Sequence, residues 1–408
     1  MLNPLLAGEL LPCFDTIRPE HVEPAIRSLL EESRARVAQL ASDATPSFAR
    51  VVEPLEDLQH TLARTWSPVS HLNAVVNSAP LRAAYNLCLP LLTDYQTDLA
   101  QSEPLYHAYA AVAEHEGAAL TAVQQRVITH MLQDFRLAGV ALEPGKKARF
   151  KAVMLELSTL QSRFEENVLD ATNNWTRHIT DPAELAGLNA TIVEQARARA
   201  REAGQEGWVL ALDQPTWVAV ITDAESQALR HDFYEAWTTR ASDRGPHAGR
   251  WDNTPVMEDI LRLRHEAASL LGFGNFAENA LATRMAKSVP EVIGFLRELA
   301  RAARPAALRE FVELEQFAGT KLEAWDVAFW AERLQKSRYA VSQEELRPYF
   351  PLPRVLTGLF ALAERLFGIR IAERSGVTVW HPDVRFFEIG SGDVTVGSFY
   401  LDPYARPH

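Results

Sequence analysis

Cysteine is nearly absent: Cys13 and Cys88 are the only two in 408 residues. Two thiols exclude a disulfide framework and a cysteine-built zinc site, and they suit a reducing compartment, of which the cytoplasm is the default. Positive charge is also short. Lys and Arg number 41 against 53 Asp and Glu, a net charge of −12 that repels phosphate backbones and anionic bilayers, so neither nucleic acid nor membrane is expected as a partner. No stretch reaches the roughly 18 apolar residues that a membrane helix needs. The opening MLNPLLAGELLPCF is apolar, but Pro4 and Pro12 interrupt it and no basic residue precedes Arg18, which makes it a poor signal peptide. The sequons at Asn174 and Asn189 therefore carry no weight.

Catalytic motifs are missing as well. Twelve histidines are present, yet no two lie three or four apart, so the paired imidazoles of a helical zinc site are not found. His115-Glu116 and His265-Glu266 each begin such a motif, but Ala119 and Ser269 stand where the second histidine belongs; both pairs read as helix surface. No G-x-S-x-G elbow occurs. GFGNFA at Gly272 fits a dinucleotide fingerprint in letters only, because it follows a helical stretch where a strand is required. GVALEPGKK at Gly139 has five residues between its glycines, one too many for a phosphate loop, and reads as a proline-glycine turn ahead of a long helix.

What is present is mostly helical periodicity. Phe150, Val153, Met154, Leu157, Leu160, Phe164, Val168 and Ala171 recur at steps of three and four, with Lys151, Glu156, Arg163 and Glu165 on the other face; one long amphipathic helix follows. Thr254 before Pro255, SVPE at Ser288 and SQEE at Ser342 are helix starts. GFGNF reads as a helix stop. Trp325, Phe329 and Trp330 in WDVAFWAERL have a spacing that could line a groove, though core packing is the favoured reading. Strand signals are confined to WVLAL at Trp208, VTVW at Val377, VRFFEI at Val384 and VTVGSFYL at Val394, the last two joined by GSGD as a hairpin. Linkers are expected around Pro144, Pro182 and DRGPHAGRWDN at Asp243.

The blocks WSPVSHLNAVVNS at Trp66, TRASDRGPHAGRWDNTPVMEDILRLRHEAASLLGF at Thr239, WDVAFWAERLQKSRY at Trp325, LRPYFPL at Leu346 and VWHPDVRFFEI…VGSFYLDPYAR at Val379 resemble, in the same order, the thimet oligopeptidase and neurolysin family of zinc peptidases, M3. The resemblance implies a mainly α fold split by a channel, with a small antiparallel sheet near the C-terminal end of this sequence. It implies a helical N-terminal domain at 1–150, a long helix and connecting segment at 151–222, and the first part of the catalytic domain at 223–408. The family's H-E-F-G-H helix is expected downstream of residue 408, so the fold is expected to be incomplete. No residue here matches the family's zinc ligands. Zinc belongs to the complete enzyme, and none is expected to bind these residues.

The GSFYLD strand lies beside the substrate groove in that family, which marks Gly397, Phe399 and Tyr400 as groove residues. Short peptides are the implied substrates, and a missing C-terminal catalytic segment is an implied partner. Two functions follow from this: part of a cytoplasmic metallo-oligopeptidase that is inactive alone, or a non-catalytic helical protein that binds peptides or another subunit. The reading frame beyond codon 408 discriminates between them.

Overall fold

The computed structural model describes residues 3–340 and 343–404. In chain order the helices begin with α1 (Pro19–Ala41), α2 (Glu53–Val75), α3 (Ala79–Ala100), α4 (Glu103–Glu116), α5 (Ala122–Leu137) and α6 (Pro144–Asn173). Next come β1 (Thr176–Ile179), α7 (Ala190–Glu202), β2 (Trp208–Ala211), α8 (Gln214–Asp223) and α9 (Gln227–Thr238). Then follow α10 (Thr254–Leu270), α11 (Phe276–Leu281), α12 (Val289–Ala318), α13 (Val327–Tyr339), α14 (Gln343–Leu346) and α15 (Leu352–Phe367). The strands β3 (Arg370–Glu373), β4 (Arg385–Ser391) and β5 (Val394–Leu401) complete the order. The fold is mainly α, with two small antiparallel sheets. No described helix is long and apolar enough to cross a membrane.

Two compact units emerge. One is built from Met1–Glu166 and Thr254–Ile293, the other from Asn167–Asn253 and Gly294–Pro407. In the first unit, Leu40, Leu55, Tyr109, Val112 and Phe135 form a core of α1, α2, α4 and α5. The apolar stripe of the long helix forms a second core there, with Phe150, Val153 and Leu157 packed on Val256, Ile260 and Leu263 of α10. The second unit is centred on Trp175, Leu210, Val220, Leu229 and Phe233.

Local chemistry explains the boundaries. Ser288 accepts a hydrogen bond from the Glu291 N–H at 3.3 Å, while the Glu291 carboxylate reaches past Ser288 to the Lys287 N–H at 2.9 Å; one side of the capping box forms and the other slips by a residue. GFGNF ends α10 as expected. Gly272 sits at φ +87°, and the Phe273 N–H reaches back to the Ala268 carbonyl at 2.9 Å, the closure that a left-handed residue permits. The start expected at Ser342 lies outside the described residues.

Several expectations are corrected. Pro144 and Gly145 do not form a turn or linker ahead of α6; they are its first two residues, since proline at the first helical position forfeits an N–H that has no partner there anyway. VTVW is not a strand. β4 already has β3 on one edge and β5 on the other, and Trp380 instead donates its indole N–H to Asp402 at 2.9 Å. The strand that fills that edge is Arg370–Glu373. A second unforeseen strand, β1, pairs with β2 from Thr176↔Ala211 to Ile179↔Trp208. The hairpin turn is tighter than GSGD suggests, because β4 runs on to Ser391 and leaves Gly392, at φ +60°, and Asp393 as the turn.

Candidate functional site

Gly397, Phe399 and Tyr400 all lie on β5, which among the described residues is paired in its sheet with β4 alone. Register pairs Ile389 with Gly397, Phe387 with Phe399 and Phe386 with Tyr400. Side chains alternate along a strand, so Gly397 and Phe399 share one face and Tyr400 takes the other. On the first face Phe399 stacks on Phe387 with centroids 5.2 Å apart, and Phe360 of α15 meets both rings edge-on at 6.2 and 5.0 Å. On the second face Tyr400 packs between Phe386 at 4.8 Å and Trp380 at 5.3 Å. Both rings are thus half-buried and fixed by aromatic neighbours. Gly397 differs. Its backbone is not left-handed, and a Cβ there would meet nothing nearer than Ile389 Cδ1 at 3.9 Å.

The outer edge of β5 turns every second N–H and C=O away from β4, and Val394 and Val396 beside the turn are exposed. That arrangement suits an added extended chain, whose affinity comes from main-chain hydrogen bonds.

The aromatic helix of the second unit packs inward, as the core reading has it. Trp325 meets His231 edge-on at 4.5 Å, and Phe329 is sandwiched between the Arg230 and Arg333 guanidinium groups at 3.9 and 3.3 Å. Beneath it, Arg230 donates to Asp326 at 2.6 Å, with both side chains only 4 % exposed. This pair escaped sequence reading because 96 positions separate its members. One signal was present: Arg230 stands among Leu229, Phe233 and Ala236 on the buried face of α9, and arginine there demands a partner.

Neither His-Glu pair begins a metal site. His115 and His265 are exposed. Glu116 accepts the Phe48 N–H at 2.8 Å. Glu266 is gripped by Arg149 at 2.5 and 2.8 Å, whose hydrogen bonds hold the carboxyl below its ordinary range. Among the described residues no three His, Cys, Asp or Glu side chains converge in a way that could hold a metal ion. The described residues do not fit a zinc centre.

The first unit carries a surface cavity of about 450 Å³ lined by Arg34, Val37, Ala38, Tyr95, Asp98 and Leu99. Arg34 and Asp98 of its wall belong to a closed charge quartet in which Arg34 and Lys151 each bridge Asp94 and Asp98 at 2.5–2.8 Å. Partial burial pushes the Asp98 carboxyl up, but hydrogen bonds from Lys151 and Arg34 outweigh it and hold the group below its usual value. A depressed carboxyl contributes stability above its unfolded pKa of about 4 and loses it as pH falls through the folded value. Asp98→Asn is therefore expected to cost about 1 kcal/mol or less at pH 7, the groups being solvent-screened. The deficit should shrink on acidification below pH ~4, as read from urea midpoints of both proteins at pH 7 and 3.5. An unchanged deficit would show that the quartet does not act through charge.

Comparison with known proteins matches two separate spans of the sequence. Residues 26–147 match the neurolysin/thimet oligopeptidase N-terminal domain, and residues 220–408 match peptidase family M3. The whole chain aligns at 45% identity with oligopeptidase A of Salmonella typhimurium and spans 61% of that protein. Against oligopeptidase A of Escherichia coli the identity is 44%, again over all of this chain and 61% of the relative. A probable cytosolic oligopeptidase A of Arabidopsis thaliana is 38% identical over 99% of this chain and 59% of its own length. Two family models in sequence order, with relatives matched along the full chain, place this protein in peptidase family M3.

Proposed function

We propose that these residues are the N-terminal helical domain and the first part of the catalytic domain of a metallo-oligopeptidase that degrades short peptides in the cytoplasm. The division at 1–150, 151–222 and 223–408 is part of that reading, and the spans matched by the two family models support it. Since the described residues do not fit a zinc centre, the metal ligands are assigned to polypeptide outside this span, and the 408 residues alone do not hydrolyse peptides. Their contribution is to bind the substrate.

Gly397 carries the reading. Glycine inside a strand marks a bulge or a place where another backbone approaches closely; the ladder shifts register between Ile389 and Gly390, next to the Ile389–Gly397 pair, and a Cβ at Gly397 would touch only Ile389 Cδ1 at 3.9 Å, so the position also has room for an approaching chain. The groove is accordingly assigned to the β5 edge, with an extended peptide laid along it and Phe399 and Tyr400 bracketing Gly397 from the two faces of the sheet.

The test uses a fluorescent short peptide with the purified, zinc-supplied chain. Anisotropy should report binding without turnover. Gly397→Val should weaken binding at least ~10-fold, about 1.4 kcal/mol, while the unfolding free energy from urea denaturation changes by no more than ~0.5 kcal/mol. Equal binding by the variant would remove the β5 groove. Chelator-sensitive cleavage by the 408 residues alone would overturn the assignment of the metal ligands elsewhere.

A further inference from the structure

Helix α15 carries one broad apolar face, and the described residues cover only part of it. Toward the sheet, Leu356 is buried, Phe360 packs on Phe387 and Phe399, and Glu364 accepts the Ile371 N–H at 2.9 Å. Along the rest of it Leu352, Val355, Leu359, Leu362 and Leu366 follow one another at steps of three, four, three and four residues. Val355, Leu359, Leu362 and Leu366 are 42, 55, 46 and 63% exposed. An apolar face this wide has room for a second neighbour beside the sheet. The spacing suits a helical neighbour: a three-four alternation is the a/d seam that accepts knobs from another helix. Gly358 adds a bare spot along the seam, since a Cβ there would meet nothing.

We propose that this seam seats an amphipathic helix from the part of the peptidase polypeptide that lies outside these 408 residues. The inference rests on the oligopeptidase reading above and names the contact by which the remaining polypeptide joins this one. Two observations choose that occupant. First, the chain matches oligopeptidase A along its whole length and yet spans only 61% of it, so polypeptide of the same enzyme remains to be placed. Second, a second copy of this chain is a poor fit. Antiparallel pairing of two α15 helices, Leu359 of one against Leu362 of the other, sets Arg354 of each copy near Arg365 of its mate, two like charges at both ends of the seam.

The test fuses to residue 408 the segment of the Salmonella typhimurium relative that lies beyond the region shared with this chain. The photo-crosslinker p-benzoylphenylalanine replaces Leu359 or Leu362 in turn, with the exposed Leu261 of α10 as reference position. After illumination, mass spectrometry of the monomer should place crosslinks from both seam positions in one helix of the appended segment, at yields well above that from Leu261. Crosslinks between two copies would assign the seam to a dimer instead, and yields at the reference level would leave it without an occupant; either overturns the proposal.

Peptide hydrolysis by the same fusion reports on the oligopeptidase reading separately. A fusion that cleaves without seam crosslinks sinks the seam alone, while one that crosslinks without cleaving sinks the activity alone. The contact is also read in trans, by sedimentation of the unfused pieces. Leu359→Glu with Leu362→Glu should weaken association roughly 100-fold, and an unchanged affinity would overturn the seam even if the fusion fails to fold.

Discussion

Asp326→Ala is expected to destabilise the second unit by about 3–5 kcal/mol, the cost of leaving a buried guanidinium without its counter-charge. Arg230 and Asp326 are each 3% exposed, so water cannot take the place of the lost carboxylate. The same carboxylate also accepts from Gln227 at 2.9 Å, and that donor is stranded along with the arginine. Set against the roughly 5–15 kcal/mol that holds a typical domain together, the loss is large. Replacing both partners, Arg230→Met with Asp326→Leu, should recover part of it, because two apolar groups of similar shape need no counter-charge. Recovery stays incomplete, since Arg230 also donates to the Ala224 and Glu225 carbonyls at 2.7 and 3.2 Å. Urea denaturation of the three proteins checks the order. A single variant that loses less than ~1 kcal/mol would mean that water reaches the site.

Phe387→Ala should cost a comparable amount, about 3–5 kcal/mol. The ring is 2% exposed and lies at the junction of the sheet with α15, stacked on Phe399 and edge-on to Phe360. Its removal opens a void between helix and strands and releases Phe399, so peptide binding at β5 should fall together with stability. Phe387→Leu keeps most of the volume and should lose under half as much. Denaturant midpoints and peptide anisotropy on the same samples test the coupling. Retained stability for the alanine variant would show that α15 is not held through this ring.

Helices were legible wherever a local signal sufficed. The stripe from Phe150 to Ala171, the stop at Gly272 and the serine at 288 are each written within a few residues. Strands were less so, because a strand is chosen by its partner. VTVW has the better β-propensity, but Arg370–Glu373 wins the β4 edge; propensity ranks surfaces and cannot say which edge is open. β1 was invisible for the same reason, its Thr-Arg-His-Ile being paired with residues about thirty positions on. Phe399 and Tyr400 enter the candidate site through family likeness alone, while the face each occupies depends on register with β4. The Arg230–Asp326 pair needed the tertiary fold altogether.

The interrupted course of the first unit bears on synthesis. Phe150, Val153 and Leu157 of α6 find Val256, Ile260 and Leu263 of α10 only after roughly 100 further residues have been made, and at about 5–20 residues per second that takes some 5–20 s. For that interval the growing chain carries a bare hydrocarbon stripe out of the ribosome, too long before its mate for local collapse to hide it. Slowing translation between codons 158 and 255 lengthens that interval, and with it the time over which the stripe is open to other apolar surfaces.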